Sequence, residues 1–205
     1  MQISELKSKR IAVWGCGREG KAVFRFLRAA GLSAPALCTE DAVALDELNA
    51  FGVEDMFSDP SRLTEFDVVI KSPGVSLYRP EIEAAKKTGV RFTSATNLAL
   101  AGLDLSRVIA VTGTKGKSTT SSLLAHLLRG LGKSAVLAGN IGIPLLESIN
   151  REEDPDYYVV ELSSYQIADL EYFPQTAVLT NLYRDHITWH RTLEKYRADK
   201  LRLFQ

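Results

Sequence analysis

The amino-acid sequence predicts an α/β protein built from two successive parallel sheets. Short apolar runs alternate with helical patterns along the 205 residues. A glycine-rich turn follows a strand pattern in each half, at residues 15–20 and at residues 112–118. The segment LAGLDLSR interrupts the alternation, which then restarts. We therefore predict a Rossmann-like domain over residues 1–104 and a P-loop domain over residues 105–205, with the boundary near Asp104.

The first half contains four strand patterns and two helix patterns. The strands are expected within RIAVWG, APALCT, FDVVIKSPG and RFTSA. The helix GKAVFRFLRAAG places its apolar residues at helical spacing and ends at Gly31. The helix PEIEAAKKTG opens with Pro80 and closes with Gly89.

The second half repeats this alternation. Its strands are expected within RVIAVTG, SAVLAGN, YYVVELSS and TAVLTNL, and its helices within KSTTSSLLAHLLRGLG and TLEKYRADKLRLFQ. The last helix is still running, or has only just ended, at Gln205, with no closing strand after it. We therefore expect the sequence to be part of a longer protein.

Composition excludes several classes of partner. Lysine plus arginine and aspartate plus glutamate both number 25, so no basic excess points to nucleic acid or to an anionic membrane. No apolar run is long enough to span a bilayer, and the polar N-terminus lacks an export signal. The only cysteines are Cys16 and Cys38. Together these features predict a cytoplasmic protein with reduced thiols.

The turn of the second half is the stronger phosphate motif. TGTKGKS matches the end of a Walker A loop, in which glycines let backbone N–H groups surround the phosphates. Lys117 would reach the β- and γ-phosphates, and the Ser118 hydroxyl would bind Mg²⁺. The strict pattern places glycine where Val111 stands, but the order strand–loop–helix is that of a P-loop.

The turn of the first half leaves three interpretations open. Gly15, Gly17 and Gly20 have the spacing of a dinucleotide-binding turn, and Glu40 lies where an NAD site has its acid. The same turn could be a tight connection without a ligand. It could also hold the pyrophosphate of another nucleotide, such as a nucleotide sugar.

Polar residues follow the other strands of the second half. Glu161 is the first charged residue at the end of its strand, where ligands of parallel sheets bind, and Asn140 ends another strand. A P-loop site needs such an acid as a second Mg²⁺ ligand. His186 and His190 are spaced as a zinc pair on a helix, but no further cysteine or histidine cluster supports zinc.

Five motifs of the second half, taken in order, resemble the Mur ligases of bacterial cell-wall synthesis: TGTKGKST, GNIG, ELSSYQ, NLYRDH and YRADK. In the first half, GCGREG and SPGV agree with the same family. The resemblance covers essentially the whole chain. It is greatest to the branch that adds glutamate to UDP-N-acetylmuramoyl-L-alanine.

The resemblance implies a three-domain enzyme. Its first domain holds the UDP-sugar, its central domain binds ATP with Mg²⁺, and its third domain brings in the amino acid. Only the first two are expected here, the central one incomplete and the C-terminal one absent, so the chain alone is expected to be inactive. The implied reaction is an ATP-dependent amide ligation through an acyl phosphate, with UDP-N-acetylmuramoyl-alanine and glutamate as substrates. The expected state is a monomer.

The resemblance also implies roles for individual residues. The residues implied in catalysis are Lys117, Glu161, His186 and Lys200. Those implied in ATP binding are Gly113, Thr114, Lys115, Gly116, Lys117, Ser118, Thr119, Asn140 and Asn181, with Asp185 in the same motif. Those implied in Mg²⁺ binding are Ser118, Glu161, His186 and Lys200, the last as a carbamate. Those implied in UDP-substrate binding are Gly15, Gly17, Arg18, Thr39, Ser72, Pro73 and Gly74.

Three departures from the glutamate-ligase pattern suggest a divergent subgroup. Lys115 stands where Asn is usual, Cys38 and Glu40 flank Thr39 where Asp and Arg are common, and SATNLAL replaces a more acidic segment. These departures leave open whether D- or L-glutamate is added.

Two other functions remain as alternatives. A folylpolyglutamate synthase is related, but it lacks a comparable leading domain. A non-catalytic module that senses NAD at the first turn and ATP at the second would fit both glycine-rich turns, with Glu40 as its main support.

Overall fold

The chain forms two compact units, Met1–Leu98 and Ala99–Gln205. A computed structural model describes residues 1–39, 45–149 and 154–205. The division falls slightly before Asp104, the boundary predicted from the sequence. Glu40, the acid of the NAD interpretation, lies outside the described residues.

The first unit alternates strands and helices as predicted, with several short elements in addition. In chain order its elements are α1 (Ile3–Leu6), β1 (Ile11–Trp14), α2 (Arg18–Ala29), β2 (Ala36–Leu37), α3 (Leu45–Asn49), β3 (Met56–Phe57), a 3₁₀ helix (Pro60–Glu65), β4 (Val68–Lys71), α4 (Pro80–Lys87), β5 (Arg91–Thr93) and α5 (Ala95–Leu100), which runs past Leu98. The two-residue strand β2 lies within the predicted segment APALCT, whereas β3 and α3 are shorter than periodicity can reveal.

The first unit is organised around a five-stranded parallel sheet in the order β3-β2-β1-β4-β5. The chain moves outward from β1 to β3 on one side and then continues with β4 on the other side of β1. This reversal creates a crevice at the carboxyl ends of β1 and β4, where open α/β sheets bind ligands. The core on the sheet consists of apolar side chains from strands and helices, including Trp14, Leu37, Val69 and Ile82.

The second unit is a four-stranded parallel sheet with the P-loop strand in its interior. Its elements are a 3₁₀ helix (Leu105–Arg107), β6 (Val108–Thr112), α6 (Lys117–Gly130), β7 (Ala135–Gly139), a 3₁₀ helix (Leu145–Ser148), β8 (Tyr157–Glu161), α7 (Ser164–Ile167), β9 (Thr176–Leu179), α8 (Ile187–His190), α9 (Leu193–Leu201) and a 3₁₀ helix (Arg202–Phe204). The strand order is β7-β8-β6-β9, all parallel.

This order places the ends of four strands side by side. Val111 of β6 is in register with Glu161 of β8, which is in register with Gly139 of β7. Val111, Ala125 and Val159 form a buried cluster that fixes α6 against the sheet. The polar residues that follow these strands therefore share one edge of the sheet, as the sequence predicted.

One expectation about the first unit is wrong. Cys16 and Cys38 were expected to be reduced thiols, but the structure joins them in a disulfide. The cause is topological: Trp14 and Leu37 are paired between neighbouring strands, so the residues that follow them leave the same edge of the sheet. The Cα atoms of the two cysteines are 6.3 Å apart, within the usual range for a disulfide.

Gly20 is expected to be essential for the packing of α2 against the first glycine-rich turn. A Cβ atom at Gly20 would collide with the backbone carbonyl oxygen of Gly15, which cannot swing away as a flexible side chain could. Alanine normally stabilises a helix relative to glycine, so the two effects oppose each other. We expect the clash to dominate, and Gly20→Ala to lower the free energy of unfolding by about 1–3 kcal/mol in urea denaturation.

The matched control for this prediction is Gly74→Ala in the same unit. Gly74 is exposed and lies outside the left-handed region, and a Cβ atom there would meet no atom within 4 Å beyond its own chain neighbours. Its substitution should change the free energy of unfolding by less than about 0.5 kcal/mol. A Gly20→Ala protein as stable as the parent would contradict the prediction.

Candidate functional site

The P-loop between β6 and α6 contains two glycines with positive φ, a backbone conformation that other residues rarely adopt. Gly113 has φ 147° and Gly116 has φ 79°. A Cβ atom at Gly113 would collide with the Thr180 hydroxyl oxygen, so the loop requires glycine there. The Lys117 Nζ atom donates to the Thr114 carbonyl oxygen at 3.0 Å, which folds the lysine back over the loop. The N-terminus of α6 and this ammonium together favour an anion.

The segment after β9 holds the P-loop in place. The Asn181 carbonyl oxygen accepts from the Thr114 N–H at 3.0 Å. The Asn181 side chain accepts from the Lys115 N–H at 2.9 Å and donates to the Lys115 carbonyl oxygen at 3.0 Å. The Thr180 hydroxyl donates to the same carbonyl at 2.7 Å. The structure therefore uses the Asn181 side chain, which was predicted to bind ATP, to fix the loop.

Lys200 is buried beside the P-loop. Its ammonium donates to the Thr112 hydroxyl at 3.2 Å and to the Gly113 carbonyl oxygen at 3.1 Å. Burial lowers the pKa of Lys200 to about 8, and the nearby charge of Lys117 acts in the same direction. The lowered pKa raises the fraction of Lys200 that is neutral near neutral pH. A neutral lysine amine can act as a nucleophile, which an ordinary surface lysine does far less readily.

Glu161 and Asn140 meet at the ends of β8 and β7. The Asn140 amide donates to Glu161 Oε1 at 2.6 Å. Glu161 is fully buried, and its second oxygen, Oε2, has no hydrogen-bond partner within the described parts of the chain. A buried carboxylate oxygen without a partner is costly in a folded protein, so this atom is a candidate to accept from, or to ligate, a group that the chain does not supply.

His186 lies in the left-handed region at the start of α8, with φ 54°. Its side chain is about half exposed, its Nδ1 atom is 2.9 Å from the Tyr165 hydroxyl, and its Nε2 atom is 3.8 Å from Asp185 Oδ2. Burial lowers the pKa of His186, against the opposing effect of Asp185. The neutral imidazole that this favours is the form that ligates metals.

The structure brings the predicted site residues together in part. Lys200 contacts Gly113, Asn140 contacts Glu161, and Lys117 contacts Thr114. Ser118 and Thr119 lie exposed on the first turn of α6. In the described residues no group of three or more His, Cys, Asp or Glu side chains is arranged to hold a metal ion.

The zinc pair considered from the sequence does not form. Both ring nitrogens of His190 are engaged within the protein, Nδ1 with Asp199 and Nε2 with Ser164. Neither is directed outward with His186.

In the first unit, the predicted UDP residues follow β1, β2 and β4. Gly15, with φ 106°, and Ser72 form the crevice between β1 and β4, where the Ser72 N–H donates to the Trp14 carbonyl oxygen at 2.7 Å. Thr39 accepts at 3.2 Å from the Trp14 indole N–H. Gly17 caps α2 and Arg18 begins it, while Pro73 and Gly74 continue the loop after Ser72.

Several aromatic residues that organise both turns were not predicted from the sequence. Trp14 links Thr39 to the crevice and carries the Arg79 guanidinium 5.2 Å above its ring. Tyr196 donates or accepts at 2.6 Å with the Thr114 hydroxyl, and Tyr165 reaches His186. Tyr196 and Lys200 are four residues apart in a predicted helix, so their shared face was available as a signal.

Two family comparisons cover most of the chain. Residues 9–94 match the family described as "Mur ligase MurD-like, N-terminal domain", and residues 111–205 match the "Mur ligase middle domain". The chain belongs to the Mur ligase family. Members of this family use ATP, generally with Mg²⁺.

Curated relatives match the chain over 99% of its length. A UDP-N-acetylmuramoyl-L-alanine–L-glutamate ligase of Xylella fastidiosa is 44% identical. A protein of the same name from Micromonospora is 39% identical. The chain covers 46% and 45% of these two proteins, so it spans about half the length of the curated relatives it matches.

Solved structures of Mur ligases share the fold. The UDP-N-acetylmuramate:L-alanyl-γ-D-glutamyl-meso-diaminopimelate ligase of Neisseria meningitidis is 22% identical, with a TM-score of 0.57 over 95% of this chain and 67% of its own. The UDP-N-acetylmuramate–alanine ligase of Thermotoga maritima is 24% identical, with a TM-score of 0.51 over 95% of this chain and 46% of its own. These likenesses agree with the predicted α/β architecture.

In the structure no helix of the described residues is both long and apolar enough to cross a membrane.

The lowered pKa of Lys200 predicts a pH-dependent contribution to stability. The folded state favours the neutral amine down to about pH 8, whereas the unfolded lysine keeps its proton up to about its ordinary value of 10.5. Between these values the unfolded state binds more protons, so the free energy of unfolding should rise with pH by on the order of 3 kcal/mol from this group. Lys200→Met should remove that rise.

The measurement is urea denaturation of the parent and the variant at neutral pH and at about pH 10. The change in the free energy of unfolding between the two pH values is compared for the two proteins. Lys195→Met, an exposed lysine on the same helix, is the control and should follow the parent. A parallel pH dependence in the parent and in Lys200→Met would contradict the prediction.

Proposed function

We propose that this chain is the N-terminal and central part of an ATP-dependent ligase that joins L-glutamate to UDP-N-acetylmuramoyl-L-alanine. The observation that carries the proposal is the 44% identity, across 99% of the chain, to a ligase named for that reaction. The geometry of the P-loop unit supports it, because an anion-binding loop, a buried carboxylate and a reactive lysine share one edge of a sheet.

In this proposal the P-loop unit binds ATP. The backbone N–H groups of the loop and the helix N-terminus hold the phosphates, and Lys117 neutralises charge on the transferred phosphoryl group. Gly113, Thr114, Lys115, Gly116 and Thr119 line the loop. Asn181 acts through the loop, because its side chain holds the Lys115 backbone.

The residues present fit a Mg²⁺ site. Oε2 of Glu161 is a buried oxygen without a hydrogen-bond partner in the described chain, and a hard cation with oxygen ligands would satisfy it. Ser118, His186 and Lys200 would complete the metal-binding set, with Asn140 orienting Glu161. Mg²⁺ would supply neutralisation of phosphate charge when bound.

Lys200 fits that set only as a carbamate, which the family resemblance implies. An ammonium repels a cation, but the nitrogen of a neutral lysine can add to carbon dioxide and lose a proton, which leaves a carboxylate-like group. Burial lowers the pKa of Lys200 to about 8 and so makes the required neutral amine available near neutral pH.

The proposed reaction has two steps. A carboxylate oxygen of UDP-N-acetylmuramoyl-L-alanine attacks the γ-phosphorus of ATP, which breaks the bond to ADP and forms an acyl phosphate. The amine of glutamate then attacks the acyl carbon, inorganic phosphate leaves, and the amide remains. This unit contributes charge neutralisation by Lys117 and the positioning of the reacting groups. Phosphoryl transfer depends mainly on these two effects.

The first unit would hold the UDP end of the substrate. The crevice after β1 and β4 lies at the topological switch point, and the N-terminus of α2 with Arg18 suits a pyrophosphate. Gly15, Gly17 and Ser72 allow close approach, while Thr39, Pro73 and Gly74 lie on the loops at the same edge.

The experiment that tests the function is amino-acid-dependent phosphate release by the full-length protein that contains this chain. With Mg-ATP and UDP-N-acetylmuramoyl-L-alanine, L-glutamate should support turnover with kcat/KM at least about tenfold above that for D-glutamate. Preference for D-glutamate would refute the stereochemical assignment, and release independent of any amino acid would refute ligation.

Lys117→Met serves as the internal check on that assay. Loss of the P-loop ammonium should lower kcat by at least about a hundredfold, the scale seen when a preorganised charge-stabilising donor is removed. Lys133→Met removes an exposed lysine beyond the opposite end of α6 and should leave turnover unchanged.

A second experiment separates the UDP-sugar proposal from the NAD interpretation. UDP-N-acetylmuramoyl-L-alanine at a concentration far above its Kd should raise the unfolding temperature of the protein by a few degrees. NAD at the same concentration should not raise it. Arg18→Ala should reduce the shift, while Arg25→Ala on the exposed side of the same helix should not. Protection by NAD alone would favour the sensing module instead.

A further inference from the structure

A buried network of three polar side chains lies in the second unit and takes no part in the chemistry proposed above. His190 Nδ1 is 2.6 Å from Asp199 Oδ2, and His190 Nε2 is 2.9 Å from the Ser164 hydroxyl. His190 is 0% exposed, Ser164 2% and Asp199 7%. Because a carboxylate only accepts, Nδ1 donates to Asp199, and Ser164 occupies the other ring nitrogen. Burying three such groups is tolerable only because they satisfy one another.

Each member of the Ser164–His190–Asp199 network lies within four residues along the chain of a proposed site residue. Asp199 directly precedes Lys200 in α9, and Ser164 begins α7 three residues after Glu161. His190 is the last residue of α8, His186 is the N-cap of that helix, and the His190 N–H donates to the His186 carbonyl oxygen at 3.1 Å. One imidazole therefore joins the three segments that carry the Glu161, His186 and Lys200 side chains.

The segment that carries His190 also needs an external constraint. Among the described residues, the only non-glycine residues with positive φ are His186 at 54° and Arg191 at 75°, one at each end of α8. Such conformations are unfavourable for residues other than glycine and persist only where the surroundings enforce them. A single turn of helix between two of them is not stable by itself.

The packing around His190 supplies that constraint. Its ring lies 4.5 Å from Trp189 and 5.3 Å from Tyr196, measured between centroids, and Tyr196 in turn contacts the Thr114 hydroxyl of the P-loop. Tyr165 stacks on Trp189 at 4.6 Å while its hydroxyl reaches His186. The network is thus continuous with the P-loop on one side and with His186 on the other.

The order of hydrogen bonds, serine to histidine to aspartate, is also that of hydrolase triads, but the surroundings favour a different role. A nucleophilic serine must be reachable by its substrate, and the Ser164 side chain is closed off. A histidine with both nitrogens occupied inside the protein orients its neighbours.

We propose that His190 is a positioning residue that sets the mutual geometry of Glu161, His186 and Lys200 through the Ser164–His190–Asp199 network. The inference rests on the proposed function, since it concerns the site that would hold Mg²⁺ and ATP. It assigns to the network the part that outer hydrogen-bond partners play at metal sites, where their loss weakens metal binding without removing a ligand.

The test is Mn²⁺ binding to the full-length protein with ADP present, followed by the loss of the free-ion signal in electron paramagnetic resonance. His190→Ala should raise the Kd for Mn²⁺ by about tenfold or more, the usual effect of removing an outer partner. The KM for UDP-N-acetylmuramoyl-L-alanine should stay within about twofold of the parent, because the network lies in the second unit and the UDP end is proposed to bind to the first. His190→Asn, whose amide can still donate to Asp199, should recover part of the lost affinity.

Val136→Ala is the matched control, because it truncates a buried residue of β7 that is not part of the network. It should lower the unfolding temperature and leave Mn²⁺ affinity within about twofold of the parent. Equal weakening by Val136→Ala, or a folded His190→Ala protein with parental Mn²⁺ affinity, would refute the positioning role alone. A parent protein that binds no Mn²⁺ with ADP would refute the proposed function and this inference with it.

Discussion

The second unit is arranged around the hydrogen bonds that the buried Lys200 ammonium makes to the P-loop. The ammonium sits where β6 becomes the P-loop and donates to two acceptors of that turn, the Thr112 hydroxyl and the Gly113 carbonyl oxygen. Two hydrogen bonds do not replace the solvation of a charge, which is why its pKa falls to about 8. The charge of Lys117 disfavours the protonated form of Lys200 further, because both cations face the same loop. On the neighbouring strand, Glu161 keeps a buried oxygen without a partner in the described chain. Excess positive charge and an unsatisfied carboxylate oxygen at one sheet edge suit phosphates together with a cation.

The two units have similar glycine-rich turns but place different charged residues around them. Each has a parallel sheet, a glycine with positive φ after its central strand, and a helix that begins at the turn. In the second unit, lysines stand on the loop and beneath it, so the turn can stabilise charge that changes during a reaction. In the first unit, the Ser72 hydroxyl donates to the Gly15 carbonyl oxygen at 3.4 Å, and the cation Arg18 is the first residue of α2. This arrangement suits a pyrophosphate that is bound and left unchanged.

The sequence predicted the major strands, both glycine-rich turns and the edge at which polar residues gather, because each depends on local periodicity or on strand–turn–helix order. It did not reveal contacts that arise from register. The Cys16–Cys38 disulfide depends on β1 and β2 being neighbours, and the short strand β3 has too few residues to show a period. The His190–Asp199 contact crosses the turn between α8 and α9, in which Arg191 has a positive φ that no sequence pattern indicates. Roles for Tyr165 and Tyr196 were within reach, because both lie inside motifs that the resemblance used.

Lys115 shows why a departure from a family motif need not signal a change of substrate. The resemblance places Asn at this position, and this departure was one of three that left open which glutamate stereoisomer is added. In the structure the fold uses the backbone of Lys115, whose N–H and carbonyl are bound by Asn181 and Thr180, and every residue except proline supplies those atoms. Its side chain is 76% exposed and meets Asp185 at 3.5 Å, an ion pair worth about 1 kcal/mol or less at such a surface. Asn and Lys are therefore interchangeable as far as the loop is concerned. The choice between D- and L-glutamate must depend on residues that contact the amino acid.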